Sequence, residues 1–153
     1  MVIDIFSKYK YKFYLNANHA IYIDNNLGKI HSHTWEITLI VKNFNENFMQ
    51  FNDVENVINE ILDKYQNKNI NTLEPFDKIN PTLENICKYF NDIFKNKLLE
   101  KNIRLDTIEI CESPKRAFII ENDDNNTNIA EQNEIEKENE NILNSILEKY
   151  KQK

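Results

Sequence analysis

The stretch Tyr9-Lys10-Tyr11-Lys12-Phe13-Tyr14-Leu15-Asn16-Ala17-Asn18-His19, with the later run His31-Ser32-His33-Thr34-Trp35-Glu36-Ile37-Thr38-Leu39-Ile40-Val41, decides how this chain folds. In the first run the odd positions are apolar or aromatic and end on His19, while the even ones are lysine, tyrosine or asparagine. Period-two alternation marks a half-buried strand, because successive side chains leave a strand on opposite faces. The second run repeats it: His31, His33, Trp35, Ile37, Leu39 and Val41 share one parity, against Ser32, Thr34, Glu36 and Thr38. Between them Asp24-Asn25-Asn26-Leu27-Gly28 carries turn chemistry, Gly28 being the one glycine of the chain. The two strands are therefore expected to fold back as a hairpin.

His19, His31 and His33 are also all the histidines there are. His31 and His33 project together from one strand face, and a hairpin brings His19 to them. Three imidazoles are a frequent protein share of a catalytic zinc site, the fourth position being left to water or substrate. Donor type and spacing thus point to Zn2+; three unrelated histidines, some surface and some core, are the alternative these residues leave open. Both strands turn their histidines to the apolar side, so a site is expected at the mouth of the core.

The 153 residues suit a single domain with one adequate core. The start lacks a secretory pattern, and no apolar run is long enough to span a bilayer, so the expected location is cytoplasmic with no membrane partner. Two cysteines, Cys87 and Cys111, read as free thiols in that setting. The formal charge of −6 is uneven: residues 121–153 hold nine acidic and four basic side chains, residues 1–120 sixteen and fifteen. A nearly neutral body without a basic stripe argues against nucleic acid as a partner.

Beyond the strands, Asn52 is expected to cap a helix with Glu55 three residues on, its apolar stripe being Phe51, Val54, Val57, Ile58, Ile61, Leu62 and Tyr65. Asn80-Pro81-Thr82 starts a second, with Thr82 at the cap and Leu83, Ile86, Cys87, Phe90, Ile93, Phe94 and Leu98 as the stripe. Cys87 falls inside that stripe and reads as a buried structural thiol. Leu105 to Glu112 alternates again, with Ile108, Ile110 and Glu112 on one face, and Ala117 to Ile120 gives a closing strand after Ser113-Pro114-Lys115. The expected order is strand, strand, helix, helix, strand, strand: an α+β domain over residues 1–121. Residues 122–153 read as an acidic linker and a C-terminal amphipathic helix built on Ile135, Ile142, Leu143, Ile146, Leu147 and Tyr150.

Leu15-x-Ala17-x-His19, then His31-Ser32-His33, Phe51, Asn80-Pro81-Thr82-x-Glu84-Asn85 and Ile110-Cys111-Glu112 together resemble the 6-pyruvoyltetrahydropterin synthase family. That family includes the 6-carboxytetrahydropterin synthases of queuosine biosynthesis, and the likeness spans about residues 5–120. It implies the tunnelling fold, in which antiparallel sheets from several subunits close into a barrel as a homo-oligomer, a trimer or a hexamer. It further implies zinc on His19, His31 and His33, and a small-molecule pterin anchored by Glu112 with help near Thr82. In the family a cysteine thiolate abstracts a proton beside the zinc-bound side chain of dihydroneopterin triphosphate, and an Asp-His pair completes the relay.

Here the pattern breaks. The cysteine position of the carboxy branch holds Leu27, that of the pyruvoyl branch lies near Asn25, and the Asp-His pair aligns with Gln66-Asn67. None of these side chains exchanges a proton near neutral pH. Asp24 is the nearby acid, although an acid in an Asp-Asn-Asn turn is ordinarily turn chemistry. Cys111 is sent by strand alternation to the face opposite Glu112. Three readings follow: a zinc-dependent pterin lyase with an altered acid–base set, a catalytically silent pterin- or purine-binding module, and a structural tunnelling-fold assembly protein. The catalytic residues are left unassigned.

Overall fold

Alternation and helical spacing become strands and helices in the computed structural model, which describes residues 7–44, 50–123, 137 and 139–149. The chain divides into two compact units, Met1–Glu121 and Asn122–Lys153. In the first, β1 (Tyr9–His19), β2 (Tyr22–Ile23), β3 (Asn26–Leu27) and β4 (His31–Asn43) precede α1 (Phe51–Leu62) and α2 (Leu83–Leu99). A single 3-10 turn, Ile70–Thr72, lies between the helices, and β5 (Ile103–Ser113) and β6 (Arg116–Glu121) close the unit. The sheet runs β1-β4-β5-β6, antiparallel throughout. This is the α+β, β-β-α-α-β-β arrangement of the tunnelling fold, with a small β2–β3 hairpin added in the first connection.

One face of the sheet makes the core. Phe13, Leu15 and Ala17 of β1, Trp35, Ile37, Leu39 and Val41 of β4, and Ile108 and Ile110 of β5 are buried with Val54 and Ile58 of α1 and Phe90, Phe94 and Leu98 of α2. The other face is polar, where Thr34 Oγ1 donates to Asn16 Oδ1 at 2.6 Å and Lys12 Nζ to Glu36 Oε1 at 2.8 Å.

Two bulges set which way β5 aims its side chains. Ile40 pairs with Thr107 but Val41 pairs with Leu105, leaving Asp106 as an extra residue. A bulge shifts the inward parity by one, so Leu105 and Ile108 are both buried although their numbers differ in parity. Asp106 itself is nearly buried and is held by Lys8 Nζ at 2.8 Å and Arg104 Nε at 3.0 Å. The second irregularity lies between Cys111 and Ser113, at Glu112.

One local expectation is corrected: the cap of α1 is Gln50, with no side-chain bond, so Asn52 is the second residue of the helix. Within the expected Asp24–Gly28 stretch the turn falls at Asp24 and Asn25, with φ of 51° and 63°. Two successive positive φ values give the tight turn whose twist suits a two-residue hairpin, and Asp and Asn tolerate them. Gly28 instead follows β3, its N–H bonded to the Ile21 carbonyl at 2.9 Å. Thr82 does cap α2, its Oγ1 accepting from Asn85 N at 3.3 Å.

In the second unit residues 139–149 form a helix, α3. The linker from 124 to 131, Ile135 and Tyr150 lie outside the described residues.

Candidate metal centre

His19 and His31 are direct partners in the β1–β4 register, and His33 faces Ala17 two residues along. Register therefore does what the spacing suggested: it gathers the imidazoles at one end of the strand pair. His19 is buried at 1% exposure, whereas His31 opens to solvent, so the cluster sits at the rim of the core. Trp35 floors it, its ring centroid 4.9 Å from that of His19 and 5.2 Å from that of His33.

Backbone carbonyls fix two of the tautomers. His19 Nδ1 donates to the Pro81 carbonyl at 2.8 Å, and His31 Nδ1 to that of Lys29 at 2.9 Å. A carbonyl can only accept, so each ring carries its proton on Nδ1 and turns a lone pair out from Nε2. Those two Nε2 atoms lie 3.0 Å apart with no proton left to share. His33 Nε2 is buried without a hydrogen-bond partner. Two converging lone pairs repel one another unless a cation or a proton sits between them.

Glu112 completes the group. Its Oε1 lies 3.3 Å from His33 Nε2 and 3.5 Å from His19 Nε2, and one donor atom from each of the four residues falls within 4.8 Å of all the others. Two zinc ligands at tetrahedral angles stand about 3.3 Å apart for Zn–N bonds of roughly 2.05 Å. The separations of 3.0, 3.3 and 3.5 Å lie close to that spacing, and the donor set suits a borderline-soft divalent metal. Burial pulls the His19 pKa down, with the Pro81 carbonyl and Glu112 opposing and His31 and His33 reinforcing. For His33 burial again dominates over the opposing Glu112. Both imidazoles are thus kept in the neutral form that ligates.

The sequence reading placed Glu112 on the inward face but not against the histidines. That proximity follows from the β4–β5 register, in which Ile37 faces Ile110 and Glu36 faces Cys111, a long-range pairing that leaves no local trace in the sequence. Thr82 is outside the donor group. It follows Pro81, whose carbonyl orients His19, and its hydroxyl keeps its own proton available while accepting from Asn85 N.

The substituted family positions have other work. Both ends of the Gln66 amide are bonded to β1: Oε1 accepts from Asn16 N at 2.9 Å and Nε2 donates to the Tyr14 carbonyl at 2.7 Å. Asn67, at φ 59°, donates its N–H to the Asn16 carbonyl at 2.6 Å. Both residues brace the outer edge of β1. Leu27 lies in β3, half exposed. On the side of the sheet that carries the Asn16, Ser32 and Thr34 side chains, a cavity of about 350 Å³ is lined by Asn16, Ala17, Asn18, Ser32, His33, Thr34 and Asn67. Cys111 is on the polar face, its Sγ donating to Glu109 Oε1 at 3.2 Å, away from the cluster as expected.

Such a three-histidine rim on an antiparallel sheet backed by two helices defines a class, and the comparisons name it. The family model 6-pyruvoyl tetrahydropterin synthase matches residues 8–123. The chain belongs to that family. Among solved structures, that of Caenorhabditis elegans 6-pyruvoyl tetrahydropterin synthase is similar with a TM-score of 0.64 at 16% identity, covering 76% of this chain and 96% of that one. A catalytic-residue mutant of Plasmodium vivax 6-pyruvoyltetrahydropterin synthase gives 0.60 at 11% identity, covering 78% and 99%. An uncharacterized Wolinella succinogenes protein gives 0.60 at 12%, covering 76% and 98%. At these identities the likeness speaks for the fold. No curated protein matches the chain in sequence.

Proposed function

We propose that this protein holds zinc on His19, His31 and His33 and binds a reduced pterin, such as dihydroneopterin triphosphate, beside it. The observation carrying the reading is the convergence of three imidazole nitrogens and one carboxylate oxygen within 4.8 Å. Bound there, zinc would act as a Lewis acid toward the hydroxylated side chain of the pterin. The protein's own part is orientation. Pro81 and Lys29 hold two rings by their carbonyls, and Trp35 excludes water from below.

Glu112 and Thr82 are the proposed substrate-binding residues. A reduced pterin presents an amino group and a ring N–H side by side, and an ionised carboxylate pairs with that two-donor edge as a fork. Thr82 can donate its hydroxyl proton to the same ligand. Retention of binding with loss of efficient turnover is favoured by one specific observation: Gln66 and Asn67 are engaged as backbone braces of β1, and neither titrates. Assembly into a cyclic homo-oligomer, a trimer or hexamer closing the barrel, belongs to the same reading.

Calorimetric titration of neopterin into wild type and Glu112→Gln, with zinc assayed in both, tests it. As a pterin anchor, Glu112→Gln should weaken binding by on the order of 1.5–3 kcal/mol, roughly ten- to hundredfold, at unchanged zinc content. Loss of zinc in that variant would instead make Glu112 a metal ligand. Absence of neopterin binding to the wild type would overturn the pterin reading.

A further inference from the structure

In the Asn80-Pro81-Thr82 run, Thr82 caps α2 and Pro81 orients His19, while Asn80 ties the run to the chain that continues β1. Its amide bonds both backbone groups of one residue: Oδ1 accepts from Tyr22 N at 2.9 Å, and Nδ2 donates to the Tyr22 carbonyl at 2.9 Å. Asn71 does the same for Ala20, at 2.8 and 2.7 Å. In an extended chain the N–H and C=O of alternate residues point to one edge. Asn16 and Asn18 use that edge as well, the first accepting from Asn67 N and the second donating to the Lys68 carbonyl. Beyond His19, where β1 ends, the two asparagine amides stand in for a neighbouring strand.

Asn80 is also held by its own backbone. Its carbonyl accepts from Thr82 N at 2.8 Å and from Asn85 Nδ2 at 2.9 Å. The next residue is Pro81, buried, whose carbonyl takes the Nδ1 proton of His19 at 2.8 Å. A closed ring results. The backbone runs from His19 to Tyr22, Tyr22 is clamped to Asn80, Asn80 is joined to Pro81, and Pro81 returns to His19. Tyr22 and Asn80 are 58 residues apart in sequence, so the clamp is a long-range tie placed directly beside the carbonyl. Such placement matters because an N–H···O bond weakens steeply with misalignment. Without that bond the His19 proton is free to move to Nε2, the nitrogen turned toward the metal position.

We propose that Asn80 is a positioning residue of the metal centre: by clamping Tyr22 it sets the Pro81 carbonyl against His19 Nδ1 and keeps Nε2 available as a ligand. The consequence for zinc rests on the function proposed above; the consequence for the His19 tautomer does not.

The test compares wild type, Asn80→Ala and Gln66→Ala as full-length protein labelled with 15N-histidine, freed of metal and held above the ordinary imidazole pKa. Gln66 is the control, because it clamps Asn16 and Tyr14 in the same manner but on the stretch before His19. Long-range 15N–1H spectra should show His19 as the Nδ1–H tautomer in wild type and Gln66→Ala, and as a mixture of both tautomers in Asn80→Ala. Zinc affinity, read by competition with a chromophoric chelator, should fall about ten- to hundredfold in Asn80→Ala and stay within about twofold in Gln66→Ala. Asn80→Asp keeps the size and the acceptor for Tyr22 N, serves if the alanine variant does not fold, and should move both readouts the same way. An unchanged tautomer or unchanged zinc affinity in the Asn80 variants would overturn the positioning role. So would an equal change in Gln66→Ala, which would report general loosening of the loop. A wild type that binds no zinc would overturn the proposed function instead, and the tautomer comparison alone would then decide for or against Asn80.

Discussion

Two of the three imidazoles in the cluster are each set by one neighbour's backbone. His19 leans on the carbonyl of Pro81, a residue that cannot donate a hydrogen bond itself, and His31 leans on Lys29. The positions that the family resemblance assigns to proton transfer hold Leu27, Gln66 and Asn67. Removing a general base costs about 10²–10⁴-fold, so conversion of dihydroneopterin triphosphate should be very slow even with zinc bound. Efficient turnover would contradict this and make Asp24→Asn the next variant. Neither thiol substitutes for the missing base. Burial pushes Cys87 up to about 12, and burial with the Glu109 carboxylate pushes Cys111 up to about 11. Well below its pKa a thiol gains thiolate tenfold per pH unit. Alkylation of Cys111 should therefore be slow at pH 8 and accelerate about tenfold per unit up to pH 10, whereas fast labelling at pH 8 would refute the shift.

At the scale of elements, the strands carrying the histidines were legible because each has one dry and one wet face. The second helix was legible for a different reason, since Thr82 has a side chain made for an N-cap. Thr82→Ala should cost about 1 kcal/mol and Thr82→Ser much less, read as denaturant midpoints. Equal midpoints for all three would deny the cap. The first helix start was misplaced because Gln50 caps through backbone geometry alone, with no residue type to announce it. Asp106 could not be foreseen as a bulge either. It is defined by its partner strand and held by Lys8 and Arg104, one distant and one local. Glu112 meets the histidines through the β4–β5 pairing, so the site was half legible: its imidazoles from a local pattern, its carboxylate from long-range register. Asp106→Ala should cost about 1–3 kcal/mol through the charged bonds it removes, read by chemical denaturation. A cost near zero would mean these bonds do not hold the bulge.

Taken as a whole, the sheet of residues 9–121 ends in two edges, β1 and β6. The loop at 66–69 covers only the later part of β1, through Asn16 and Asn18. Exposed edges invite strand pairing, and barrel closure by copies of the chain satisfies them. Light scattering at micromolar concentration should give a trimer or hexamer, and a clean monomer would count against closure. No helix among the described residues is long and apolar enough to cross a membrane. The account rests finally on the metal, and elemental analysis of the purified chain tests it most directly. It should carry close to one zinc per chain, lost in His33→Ala and in the triple alanine variant of His19, His31 and His33. Equal zinc in wild type and triple variant would contradict the account.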